Sequence, residues 1–119
     1  MKVVSWNCRG LGSITKEEAM KYLICTSNPD ILQIQETKME ERDFFLASQK
    51  FWKKGASAVV NARGASGGIG TLWDASKFEL VLTESCTHWI LTQLLHKDSG
   101  YQVCLFNIYA LVLLSLSKK

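Results

Sequence analysis

Asp30-Ile31-Leu32-Gln33-Ile34-Gln35-Glu36-Thr37-Lys38 is the stretch that decides the fold. Ile31, Leu32 and Ile34 make a short apolar run, launched by the turn residues Ser27-Asn28-Pro29-Asp30. Such a run between turn signals reads as a buried strand in a sheet covered on its faces. Its end is unusual. Gln35 and Glu36 set an amide and a carboxylate at the mouth of an apolar element. A carboxylate there is costly unless a cation or several donors meet it. Pairing with Lys38, or plain exposure to solvent, meets that need without any function.

Working outward, Lys2-Val3-Val4-Ser5-Trp6 is β-prone and ends in the polar, glycine-containing loop Asn7-Cys8-Arg9-Gly10-Leu11-Gly12. Thr15-Lys16-Glu17-Glu18 fits a capping box, and Ala19, Met20, Leu23 and Ile24 then recur at helical spacing. Pro29 and the residue before it stop that helix near Thr26. Strand, helix, strand in this span is a right-handed βαβ unit. Asn7 and Glu36 therefore end neighbouring parallel strands, where open α/β sheets place their sites. Asn at a strand end also serves as an ordinary turn residue.

Met39 to Phe51 reads as a second helix, its start favoured by Glu40, Glu41 and Asp43, its buried side supplied by Phe44, Phe45, Leu46 and Trp52. Lys53-Lys54-Gly55 breaks it, and short strands follow at 57–61, 69–73, 78–83, 89–95 and 102–109. Gly64-Ala65-Ser66-Gly67-Gly68 lacks the spacing of a phosphate loop and no helix follows, so it reads as a hairpin connection.

At 119 residues the chain holds at most one domain, small for a two-layer sandwich. With 47% hydrophobic residues, 21% charged and one Pro, nothing in the composition suggests disorder. The net charge of +3 is compatible with a nucleic-acid partner and too weak to argue for one. Cys8, Cys25, Cys86 and Cys104 form no C-x-x-C pair and have no His at ligand spacing, which argues against zinc and for free thiols in a reducing compartment.

Ser5-Trp6-Asn7-Cys8-Arg9-Gly10-Leu11, Gln33 to Lys38, Gly67-Gly68-Ile69-Gly70-Thr71-Leu72-Trp73 and Phe106-Asn107-Ile108-Tyr109-Ala110 occur in this order. Order and spacing resemble the N-terminal half of the endonuclease/exonuclease/phosphatase superfamily, with its deoxyribonuclease I-like fold. Within it, the W-N-C-R-G-L-G opening and the Q-E-T-K strand end look closest to the endonuclease domain of plant LINE-type (non-LTR) retrotransposons. The resemblance covers residues 1–110. It implies that Glu36 and Asn7 organise a divalent metal, Mg²⁺ or Mn²⁺, and its phosphate pocket. It implies too that the Tyr109 hydroxyl reaches the scissile phosphate, and that Lys38 and Arg9 add positive charge beside it. The implied chemistry is metal-dependent phosphodiester hydrolysis, with DNA the partner, no membrane involved, and an intracellular, nuclear setting.

Departures from that pattern are as informative. The family's Asp-x-Asn pair, a further Asp and a closing Asp-His pair are absent, and His88 and His96 lie in apolar strand patterns that suit structural roles. Leu111 stands where the family has Pro, and residues 111–119 read as an abnormal apolar tail, too short and interrupted for a membrane span. The expected fold is an incomplete half of a four-layer α/β sandwich, a mixed sheet with two helices on one face. Its facing sheet would be missing, leaving an apolar face open to aggregation or pairing. Three functions compete: a DNA-nicking endonuclease inactive without its second half, a non-catalytic or weakly nucleic-acid-binding remnant, and a phosphoester phosphatase of the same fold.

Overall fold

Pro29 and Asp30 do launch a strand, and every apolar side chain of the run that follows is buried. The computed structural model describes residues 1–64 and 66–109, so the tail at 111–119 lies outside the described residues. The elements are β1 (Val3–Asn7), α1 (Ile14–Ser27), β2 (Ile31–Gln35), α2 (Glu41–Phe51), β3 (Gly55–Val60), β4 (Ile69–Asp74), β5 (Phe78–Cys86), β6 (Trp89–His96) and β7 (Gln102–Ile108). A four-stranded mixed sheet runs β1-β2-β4-β3, with β1 and β2 parallel and the rest antiparallel. A three-stranded antiparallel sheet runs β5-β6-β7. As expected of half a sandwich, both helices share one face of the mixed sheet.

The facing sheet, however, is not missing. Its three strands β5, β6 and β7 pack across the other face of the mixed sheet. Period-two alternation explains how β2 serves both layers. Leu32 and Ile34 join Met20, Phe44 and Leu72 beneath the helices, whereas Ile31 joins Trp73, Phe78, Ile90 and Leu94 between the sheets. The uncovered apolar surface belongs instead to the second sheet's outward side chains, Leu82, Phe106 and Ile108, each exposed.

Other differences are local. The first helix is capped by Ser13, whose hydroxyl accepts from the Lys16 amide at 3.1 Å, so Thr15 sits inside the helix and not at its cap. Ser is as good a cap, and here it comes before Thr15 in the chain. On its apolar stripe Met20 is buried and Leu23 and Ile24 half-buried, but Ala19 is exposed. Asn28, left-handed at φ 48°, closes the helix with its N–H on the Ile24 carbonyl at 2.8 Å.

The second helix starts at Glu41, because the Met39 carbonyl is taken by the Ala62 N–H at 2.9 Å while Asn61 Oδ1 caps the Glu41 N–H at 2.7 Å. Phe44, Ser48 and Phe51 form its buried face; Phe45 and Leu46 project into solvent. Spacings of four and seven keep a side, whereas the next two residues rotate away from it. Gly70 faces Phe44, where an added Cβ would overlap the ring.

Candidate functional site

Parallel pairing of β1 and β2 fixes the geometry of one rim. Asn7 lies opposite Gln35, so the chain leaves both strands at the same edge. Beyond it the two loops stay laced together: Cys8 N–H on the Gln35 carbonyl (3.1 Å), Gly10 N–H on the Glu36 carbonyl (2.7 Å) and Leu11 N–H on the Thr37 carbonyl (3.1 Å). The opposite side of the 36–38 segment is held by the β3–β4 loop, through Thr37 N–H on Gly68 O (3.0 Å) and Lys38 N–H on Gly67 O (2.8 Å). Gly68, at φ 89°, must be glycine for that approach, since a Cβ would run into the Thr37 hydroxyl.

Asn7 is exposed, and its Oδ1 accepts from the Arg9 amide at 3.2 Å, the turn-forming use of a strand-end Asn. Arg9 is also exposed, with φ 54°. Glu36, 22% exposed at its side chain, meets the Lys38 ammonium at 3.9 Å; both residues have left-handed backbones, φ 58° and 59°. Beneath them Cys8 is fully buried, its thiol 3.6 Å from the carbonyls of Gln35 and Glu36, and burial pushes that thiol up from its ordinary pKa. Lys16 donates to the Cys8 carbonyl at 2.5 Å and lies 5.7 Å from the centre of the Trp6 ring.

Tyr109 reaches this rim from the second sheet. Its N–H donates to the His88 carbonyl at 2.8 Å, its ring lies 6.2 Å from the imidazole, and both border a cleft against Gly67 and Gly68. His88 thus sits in the β5–β6 turn, exposed, and not inside a strand. His96, at the end of β6, has the structural role expected of it: it stacks on Tyr101 at 4.6 Å, meets Phe78 edge-on at 5.2 Å, and bonds Ser99 through Nδ1.

Sequence reasoning missed what holds the two sheets in register at this rim. Asn107, only 1% exposed, accepts from Gln35 Nε2 at 2.7 Å and donates to Gly70 O (3.0 Å), Thr71 Oγ1 (3.1 Å) and Ile34 O (3.4 Å). Gln35 also donates to Ser5 Oγ at 3.0 Å, and Gln33 donates to the Phe106 carbonyl at 3.1 Å. The signal was present in the alternation: Gln33 and Gln35 share the β2 face of Ile31, an odd place for amides unless polar partners face them.

A divalent cation would find one carboxylate and one amide here, Glu36 and Asn7. Among the described residues no three of His, Cys, Asp and Glu converge on a metal position. With the Lys38 ammonium already 3.9 Å from the Glu36 carboxylate, these residues do not by themselves make a cation site. No catalytic step follows from them alone.

Two helices on a mixed sheet, backed by an antiparallel sheet and with polar strand ends gathered at one rim, is the fold of about half the sandwich seen in solved endonuclease/exonuclease/phosphatase-type proteins. Solved structures bear this out. An endonuclease/exonuclease/phosphatase family protein from Bacteroides thetaiotaomicron superposes with TM-score 0.70 at 13% identity, over 89% of this chain and 47% of that one. The AP endonuclease of Leishmania major gives TM-score 0.68 at 16% identity, over 92% and 40%. A mannosyl-6-phosphatase of B. thetaiotaomicron gives 0.70 at 12%, over 89% and 50%. The chain therefore spans half or less of the length of these neighbours. No family model and no curated protein matches the sequence.

Proposed function

We propose that this chain is the N-terminal part of a phosphodiester hydrolase that nicks DNA, of the retrotransposon-endonuclease type. The observation that carries the proposal is the shared rim: the β1–β2 register sets Asn7 beside the Glu36 segment, and β7 brings Tyr109 to the loop that holds it. Glu36 would supply one carboxylate, and Asn7 an amide, to a Mg²⁺ or Mn²⁺ ion whose further carboxylate ligands lie outside this chain. A small cation that keeps most of its waters accepts such partial ligation. A bound ion would supply charge neutralisation at the phosphate, while Arg9 and Lys38 would orient the strand beside it and Tyr109 would face the scissile group. DNA is favoured over a small phosphoester by the W-N-C-R-G-L-G opening, since the fold alone serves both nucleases and phosphatases. Action on genomic DNA would place the protein in the nucleus.

One observation favours a second reading for the isolated chain, a non-catalytic remnant: no acidic cluster accompanies Glu36 among the described residues. Nicking of supercoiled DNA in Mg²⁺ separates them. The chain alone should leave the plasmid supercoiled, because a missing general base commonly costs orders of magnitude in rate. Fused to the second half of a retrotransposon-type domain it should nick, and Glu36→Gln in the fusion should abolish nicking. A Glu36→Gln fusion that folds and cuts as well as its parent would end the proposal.

A further inference from the structure

Next to the rim lies a cleft of about 90 Å³ whose Arg63 and His88 the proposed chemistry does not use. Arg63 and the glycines Gly67 and Gly68 border it from the β3–β4 loop, Thr87 and His88 from the β5–β6 turn, and Tyr109 from the end of β7. Its volume holds about six water-sized groups, the bulk of one phosphate and not of a nucleoside.

The chemistry of the wall is one-sided. No lining residue is acidic. Arg63 makes no ion pair with a carboxylate among the described residues; its Nη2 rests on the neutral Thr87 hydroxyl at 3.3 Å, leaving most of the guanidinium fork unused. The Gly67 and Gly68 carbonyls, which would repel an anion, are already taken by the Lys38 and Thr37 amides. His88 and Tyr109 lie ring beside ring, adding an imidazole and a phenol donor. Because Gly67 and Gly68 bind the segment after Glu36 directly, the cleft adjoins the rim at the next position along it.

We propose that Arg63 and His88, with Tyr109 as the shared wall, form a second phosphate subsite that grips the nucleic-acid backbone next to the phosphate held at Glu36. This assignment deepens the nuclease reading and rests on it for the identity of the ligand, though not for the anion chemistry. Arg63 is exposed, so replacing it does not threaten folding.

Two measurements on the full chain test it. In a ¹⁵N-labelled sample, inorganic phosphate should shift the Arg63 side-chain N–H and the Thr87 and His88 amides, and Arg63→Ala should erase the shifts at Thr87 and His88. In duplex binding followed by fluorescence anisotropy, Arg63→Ala should lower the slope of log K against log salt by about 0.9, the loss of one phosphate contact. Phosphate shifts with no duplex binding would support the subsite while removing DNA as its ligand. Shifts that persist in Arg63→Ala, or an unchanged salt slope in a chain that does bind duplex, would overturn the subsite and leave the nuclease reading standing.

Discussion

Asn107→Ala should be among the most damaging single changes at the junction between the sheets. The side chain makes one accepted bond from Gln35 and shares its two amide hydrogens among Gly70, Thr71 and Ile34. Counting three effective bonds at about 1 kcal/mol each gives a loss of about 3 kcal/mol. The estimate sits between two corrections. Gln35 keeps Ser5 and partial access to water, which lowers the cost, whereas Thr71 is fully buried and loses a partner, which raises it. Against a domain stability of roughly 5–15 kcal/mol, that is a fifth or more of the total. With a urea slope of about 2 kcal/mol/M, the unfolding midpoint should fall by about 1.5 M at constant slope. Gln35→Ala alone should cost less, and the double mutant should show coupling of about 1 kcal/mol. A midpoint shift under about 0.3 M, or strict additivity of the two changes, would refute the claim that this pair locks the sheets together.

Two further outcomes follow from packing and charge. Phe44→Ala should cost about 3–5 kcal/mol, because the ring is fully buried against Gly70, whereas Phe45→Ser, half exposed on the far side of the same helix, should stay within about 0.5 kcal/mol; paired thermal melts decide it. The Lys77 ammonium 2.9 Å away holds the Asp30 carboxyl below its usual range; burial pushes Asp74 up, but the Ser76 hydroxyl and amide with Lys54 outweigh it and hold that group below as well. A depressed carboxyl stabilises the fold above its unfolded pKa near 3.9, and that stability is lost as pH falls through the lower folded value. The melting temperature should therefore drop below about pH 4, and Asp30→Asn with Asp74→Asn should flatten that limb while lowering stability at pH 7. Equal acid slopes in the wild type and the double variant would contradict this.

The strands and helices were largely legible because their signals are local. Pro29, the apolar run 31–34 and the glycines around 64–68 each act within a few residues, so element order emerged with boundaries shifted by one to three residues. What failed was tertiary. Nothing near Thr15 reveals that Ser13 takes the cap, and nothing near Met39 shows that Ala62 removes its carbonyl from the helix. The facing sheet was overlooked although all three of its strands had been read, because pairing β5–β7 as a separate layer requires contacts far along the chain. At the rim, the juxtaposition of Asn7 with the Glu36 segment followed from the βαβ rule alone, whereas Asn107 was visible only as part of a motif.

Backbone strain adds an independent reason to look at that rim. Four described residues other than glycine have positive φ: Arg9, Asn28, Glu36 and Lys38. Asn28 is an ordinary helix cap, tolerant of that conformation. The other three lie in the two loops that leave β1 and β2 together, and each carries a long charged side chain where glycine would relieve roughly 1–2 kcal/mol. Such strain persists only where surrounding bonds overdetermine it, and here the segment 36–38 is gripped on both sides by main-chain bonds from residues 10, 11, 67 and 68. A loop selected only for connection would shed the cost with glycine. Retaining Glu36, Lys38 and Arg9 in left-handed turns is what a surface built to present charge would do, and it supports the proposal that this rim meets a phosphate.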